Sequence, residues 1–205
     1  MNKYLKAGKF IVIYGINNLG KTTQAKLLVE KLKRLGRKAE YLKYPVYDLE
    51  PSGPMINAYL REGNPVKLSA REVQILYAMN RWQYEPILRS KLEKGIDIVA
   101  EDYWGTGVAW GAGAGVDKEF LLRLNGFFLR EDLALLFAGK RFASGLENNH
   151  LYETDSELTK RVEVAHNELG KEFGWKLMDA NQSIEKVAEE VWKLVETVIP
   201  VKTGI

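Results

Sequence analysis

Early in the chain runs Phe10-Ile11-Val12-Ile13-Tyr14-Gly15-Ile16-Asn17-Asn18-Leu19-Gly20-Lys21-Thr22, an apolar segment opening into a glycine-framed loop. Phe10–Tyr14 is β-branched, aromatic and apolar on both faces, as a strand buried inside a parallel sheet must be. Gly15 to Thr22 fits the pattern GxxxxGK(S/T). Behind it Ala25, Leu28, Leu32 and Leu35 share one helix face opposite Lys and Arg, and Gly36 reads as the C-cap. Gly15 and Gly20 let the backbone curl until successive N–H groups point at one anion. The helix beginning near Lys21 adds its positive N-terminal end. Lys21 then reaches the β- and γ-phosphates of a nucleoside triphosphate as a point charge, and the Thr22 hydroxyl is placed to ligate Mg²⁺.

Outward from this segment, strand-length apolar runs alternate with amphipathic stretches. Ala39–Lys43 is a second strand, stopped by Pro45. A long helix covers Leu68 to Glu93, with Ser69 as N-cap and Gly95 as terminator. Ile96–Glu101, Asp132–Phe137 and Trp175–Asp179 are three further strands. Leu158, Val162, Ala165 and Leu169 line one helix; Ile184, Val187, Val191, Leu194 and Val198 line the last. This alternation predicts an α/β fold of the P-loop NTPase kind: a five-stranded parallel sheet with helices on both faces. No linker or repeat interrupts it, so residues 1–205 are expected to form one domain. Gly105 to Gly115 is glycine-dense without spelling a phosphate motif and is expected to be a flexible loop. His150 and His166 lack companions at ligand spacing, so no histidine metal site is expected.

Composition narrows the classes. With 46% hydrophobic and 28% charged residues among 205, the chain is an ordinary globular one. A net charge of +3, with basic residues dispersed, gives no nucleic-acid footprint. Cysteine is absent, which excludes thiolate nucleophiles and Cys-based zinc sites. The apolar run after the three N-terminal lysines ends at Tyr14, too short for a signal-peptide core or membrane span. A cytoplasmic protein is the expectation. A P-loop specifies a nucleoside triphosphate but not the fate of its γ-phosphate, so GTPases, motors and small-molecule kinases all bear consideration. The chain has no guanine-reading NKxD segment and no motor appendages, which favours a small-molecule kinase.

From Phe10 to Val195 the order of motifs resembles the thymidylate kinase family, a group of P-loop nucleoside-monophosphate kinases. FIVIYGINNLGKTTQAKLL resembles that family's P-loop and first helix. Tyr44-Pro45 sits where the family has its aromatic-or-acidic residue and proline. Leu76-Tyr77-Ala78-Met79-Asn80-Arg81-Trp82 is similar to LF-x-A-NRW, Gly107-Val108-Ala109-Trp110 to SGVAF/Y, and Trp175 through Ile184 to W-x-x-IDA-x-x-SI. Leu151-Tyr152-Glu153 resembles the end of the lid, and Val162, His166 and Leu169 the helix that follows.

The resemblance implies ATP-dependent phosphorylation of a nucleoside monophosphate, dTMP to dTDP, with Mg²⁺, in a homodimer formed through helices on one sheet face. ATP would be held by Gly15, Asn18, Gly20, Lys21, Thr22, Thr23, Arg141 and Asn181. Lys21, Glu101 and Arg141 would serve catalysis, and Thr22 with Glu101 the metal. Tyr77 would stack on the acceptor base and Arg81 would bond its edge, with Asn17, Tyr44, Asp102, Tyr103 and Tyr152 completing the acceptor site. An aromatic platform and an arginine fork suit a base with a carbonyl edge. A lid around 140–153, containing no arginine between Phe142 and Leu151, would close over ATP, leaving Lys140 and Arg141 at its edge.

Three acceptor-side positions depart from the family pattern. Glu101-Asp102-Tyr103 replaces Asp-Arg-Tyr, Tyr47 stands where an arginine follows the Tyr-Pro-like pair, and Asn17 replaces an aspartate. Lys43, Arg61, Lys67 and Lys140 are cations that could compensate. The alternatives are a deoxynucleoside or other small-molecule kinase, with Glu101 as general base, and a catalytically weak nucleotide-binding regulator.

Overall fold

β1 (Phe10–Tyr14) occupies the middle of a five-stranded parallel sheet, and the reason is its composition: none of its side chains is more than 1% exposed. The computed structural model describes residues 8–142 and 155–199. After β1 come α1 (Lys21–Arg34), β2 (Ala39–Lys43), α2 (Ser52–Arg61), α3 (Ala70–Glu93) and β3 (Asp97–Glu101). The chain continues through α4 (Trp104–Gly113), α5 (Lys118–Leu124), β4 (Leu133–Ala138), α6 (Ser156–Phe173), β5 (Lys176–Asp179) and α7 (Ile184–Val195). Strand order is β2-β3-β1-β4-β5. The order reverses beside β1, and ligands of open α/β sheets bind at such a switch point, outside the carboxyl ends of the strands. Helix α1 packs with α7, while α4 packs on α3, α5 and α6, so the two sheet faces are covered by separate helix groups.

Local signals set the ends of the elements. Ser69 caps α3 in a capping box: its hydroxyl accepts from Glu72 N while the Glu72 carboxylate accepts from Ser69 N at 2.7 Å. α1 begins after Gly20 with neither a side-chain cap nor an acidic residue in its first turn, which leaves its positive end for a ligand. Helices α2 and α5 were not foreseen from periodicity, each being ten residues or fewer.

The glycine-dense segment is a helix, not the flexible loop its composition suggests. Glycine in a helix costs about 1 kcal/mol relative to alanine. Here it is offset by close packing: a Cβ on Gly113 would lie 2.6 Å from Val162 Cγ2. The glycines bring α4 against its neighbours, a reason that local propensity does not contain.

Two aspartates pin the amino ends of the central strands. Asp97, wholly buried, accepts from Lys9 N at 2.8 Å and from Arg37 through Nε and Nη2. Asp132 accepts from Phe10 N and from Lys9 Nζ. Asp97→Ala leaves Lys9 N without its acceptor and Arg37 without its counter-ion, so it should lower unfolding free energy by roughly 1–3 kcal/mol. Chemical denaturation tests this, and an unchanged midpoint would show that the carboxylate does not hold the strands together.

Candidate active site

Parallel pairing sets Ile13 opposite Glu101, so the loop leaving β1 and the end of β3 open on the same edge of the sheet. Between them lies a cavity of about 430 Å³. Asn17, Asn18, Gly20, Lys21, Thr22 and Thr23 line one side of it. Tyr44, Tyr77, Arg81, Asp102 and Tyr103 also line it, with Glu101 beside them. The structure thus brings together residues scattered over nearly ninety positions of sequence.

The loop has the curl that the sequence predicts. Gly15 takes φ 134° and Asn18 and Gly20 take φ 61° and 75°. A Cβ on Gly15 would lie 2.5 Å from Phe137 O, so glycine is required for conformation and for space alike. Lys21 is buried, and its Nζ donates to Gly15 O and Ile16 O at 2.8 Å each. Phe142 N donates to Asn18 O at 2.8 Å, which joins the segment after β4 to the loop.

Two adjacent carboxylates face these groups. Glu101 Oε2 accepts from Thr22 Oγ1 and from the Tyr41 hydroxyl, each at 2.6 Å, and Lys43 Nζ lies 3.2 Å from Oε1. Burial pushes the Glu101 carboxyl up, but Lys21 and Lys43 together with the two hydroxyl donors outweigh it and hold it below the usual range. Asp102 has the opposite balance. It adopts φ 63°, accepts from Thr106 Oγ1 at 3.0 Å and lies 3.6 Å from Lys21 Nζ. Burial, reinforced by the charge of Glu101, raises its carboxyl despite the lysines. Lys21 thus faces this carboxylate without offsetting its burial.

The other expected site residues have surroundings of their own. Arg81 lines the cavity, but Nη2 donates to Asn125 Oδ1 at 3.1 Å and Nη1 to Tyr103 O at 3.5 Å. Burial brings its guanidinium down to about 10. Tyr103 and Tyr44 are buried against each other with ring centroids 5.1 Å apart, and neither hydroxyl has a hydrogen-bond partner among the described residues. Asn181 is not in the cavity wall: it accepts from Lys140 N and donates to Lys140 O, bracing the turn after β4. Arg141 is half-buried outside that wall, with Nε and Nη2 enclosed and unbonded among the described residues. Tyr152 lies outside the described residues. His166 is buried, its Nδ1 3.1 Å from Val162 O, and burial lowers its imidazole to about 3, so it stays neutral. Tyr41, missed from sequence, shares its strand face with Lys43 at a spacing of two, and that alternation is the signal that finds it.

The opposed carboxylates give a pH test. A lowered group such as Glu101 contributes stability that is lost as pH falls through its folded titration; a raised group such as Asp102 contributes stability that is lost as pH rises through its own. Asp102→Asn keeps the Thr106 contact and tolerates positive φ. Its stability relative to wild type should therefore be equal in acid and become favourable as the pH rises to neutrality. Thermal melts across pH read this, and a variant that is weaker at neutral pH would show that the Lys21 pairing dominates.

Comparison with known proteins gives the family. A thymidylate kinase family model matches residues 13–191. The human thymidylate kinase is 31% identical, covering 97% of this chain and 94% of that protein. The zebrafish thymidylate kinase is also 31% identical, with coverage of 95% and 92%. In fold, the chain superposes on thymidylate kinase from Candida albicans with a TM-score of 0.78 at 24% identity, covering 93% of this chain and 92% of that one. With the loop, the carboxylate end of β3 and the aromatic cavity wall in the arrangement described, this chain belongs to the thymidylate kinase family.

Proposed function

We propose that this chain transfers the γ-phosphate of ATP to a deoxynucleoside monophosphate, dTMP, forming dTDP and ADP. The observation that carries this is one cavity with Lys21, Thr22 and Glu101 at its phosphate end and Tyr77 and Arg81 on its wall. Phosphoryl transfer asks the protein for position and charge more than for covalent chemistry. An oxygen of the acceptor phosphate attacks the γ-phosphorus, and the bond to the β–γ bridging oxygen breaks with ADP as leaving group. Lys21 and the N-terminal amides of α1 stabilise the charge on the triphosphate. Tyr77 offers a stacking face to the acceptor base.

Thr22 Oγ1 and Glu101 Oε2, 2.6 Å apart, are hard oxygen donors that fit Mg²⁺. Among the described residues no group of three acidic or histidine side chains could hold a metal alone, which suits an ion carried chiefly by nucleotide phosphates. When bound there by Thr22 and Glu101, Mg²⁺ would neutralise charge on the nucleotide phosphates. Glu101, held ionised, is the group that would orient it.

Arg141 and Lys140, which precede the expected lid segment whose residues 143–153 lie outside the described residues, are the cations we assign to the transferring phosphoryl group. Support for Arg141 is its two enclosed nitrogens without hydrogen-bond partners among the described residues. We take residues 1–205 as one kinase domain. A homodimer is supported by exposed apolar side chains seven positions apart on α3, Ile75 at 45% and Trp82 at 46%, with Phe127 at 83%. No helix among the described residues is long and apolar enough to cross a membrane. We place the reaction in the cytoplasm.

A second reading, phosphorylation of a neutral nucleoside, is favoured by Asp102 in the cavity wall. Labelled ATP offered with dTMP or with thymidine separates the two: label in dTDP supports the proposal, and label in dTMP made only from thymidine sinks it. A nucleotide-binding regulator would give neither product.

Lys21→Ala and Thr22→Ala should each reduce transfer about 100-fold or more in a folded protein, because each removes charge stabilisation at the phosphates. Unchanged turnover in both would overturn the assignment of the phosphate end. Tyr77→Ala should weaken acceptor binding by roughly 1–3 kcal/mol while Tyr77→Phe is nearly silent and the ATP constant barely moves. Equal weakening of both ligands would make Tyr77 a packing residue only.

A further inference from the structure

An acceptor phosphate entering the cavity meets Glu101 and Asp102, two carboxylates on consecutive residues of its wall. A dianion beside them needs a cation, and one held in a fixed orientation discriminates best. Arg61 is built in that way. It is the last residue of α2 and lines the cavity. Its guanidinium lies over the Tyr47 ring, 5.0 Å from the centroid, and Nη1 donates to Asn57 Oδ1 at 3.0 Å, one turn back on the same helix. A stacked ring fixes the plane of a guanidinium, and an amide fixes its rotation within that plane.

The platform under it is itself clamped. Asn80, wholly buried on α3, accepts from Val46 N and donates to Val46 O, both at 2.8 Å, and its amide also lies 2.8 Å from Ser52 Oγ. Tyr47 follows Val46 directly. Gly53 N donates to Leu49 O at 2.7 Å, closing the segment between Tyr47 and α2. The ring and the guanidinium are thus carried by two pieces of chain fastened to each other and to α3.

We propose that Arg61, braced on Tyr47, binds the phosphate of the acceptor monophosphate and selects phosphorylated over unphosphorylated acceptors. A planar fork of N–H donors matches two oxygens of a phosphate monoester, and nothing comparable is presented to an uncharged 5′-hydroxyl. Tyr47 then has a defined part, as the surface that orients the cation. This inference rests on the proposed transfer to a nucleoside monophosphate.

Calorimetry on the full chain with dTMP, thymidine and a non-hydrolysable ATP analogue tests it, alongside turnover with dTMP. Wild type should bind dTMP more tightly than thymidine. Arg61→Met should lose roughly 10- to 100-fold in dTMP affinity, the loss expected for a charge-assisted hydrogen-bonded contact, while thymidine and the ATP analogue hold. Arg61→Lys should recover part of the loss. Tyr47→Phe should match wild type and Tyr47→Ala should fall between. The Lys and Ala variants decide the matter if Arg61→Met melts early. Unchanged dTMP affinity in Arg61→Met, or equal losses for dTMP and thymidine, overturns the inference while turnover of dTMP by wild type leaves the functional proposal standing. Wild type that binds the ATP analogue but neither acceptor sinks both.

Discussion

The register of β1 against β3 is the constraint on which the site depends. Ile13 opposite Glu101 brings the carboxylate to the edge where the loop turns into α1, within 2.6 Å of Thr22 Oγ1. A slip of one residue would send every side chain of one strand to the other face. Glu101 would then leave the cavity, and Asp97 would lose the amide of Lys9. The pins at the amino ends, Asp97 on Lys9 N and Asp132 on Phe10 N, therefore fix geometry at the carboxyl ends of the strands. Stability is concentrated at one end of the strands and chemistry at the other, linked by the five buried apolar residues of β1.

At the chemical edge two lysines and two carboxylates share little space, and their environments push the acids apart. Glu101 takes hydroxyl hydrogen bonds from Thr22 and Tyr41 and stays ionised. Asp102 takes one hydroxyl, and burial together with the charge of Glu101 raises it. Carboxylates whose titrations are separated in this way can hold different roles on adjacent residues. The positive φ of Asp102 is part of that separation: a residue in the left-handed region breaks the alternation of the strand, so Glu101 and Asp102 both reach the cavity. Asp102 then faces Lys21 at 3.6 Å on the same wall that carries Glu101.

Much of this was legible in the chain because the signals were local. The five strands lie within a residue of their expected bounds, and Ser69 and the P-loop glycines follow from neighbours in sequence. Failures came where the deciding partner is distant. Glycines in α4 looked like a loop because Val162 and Leu121, which need the room, are elsewhere in the sequence. The contacts of Arg81 with Asn125 and of Asn181 with the Lys140 backbone likewise join residues far apart in sequence, and Arg81 makes its contact while lining the cavity. Tyr41 was overlooked although strand alternation ties it to Lys43. The roles of Tyr47 and Arg61 depend on a ring stacking across the α2 junction, which no spacing rule predicts.

Helix α3 carries the consequences furthest. Successive residues of a helix point about 100° apart, so three neighbours can serve three surroundings. Asn80 clamps Val46 and Ser52, Arg81 enters the cavity wall, and Trp82 is 46% exposed on the outside. Tyr77, one turn before Arg81, keeps the same cavity face. A shift or rotation of this helix would change the acceptor wall, the platform beneath Arg61 and the outer apolar surface together, since all three are fixed to one rigid rod. The capping box at Ser69 and the buried contacts of Leu76 and Leu88 resist such a shift. Fidelity at the acceptor end is thus a property of how firmly α3 is seated, and any partner that covered Trp82 would add to that seating without touching a nucleotide.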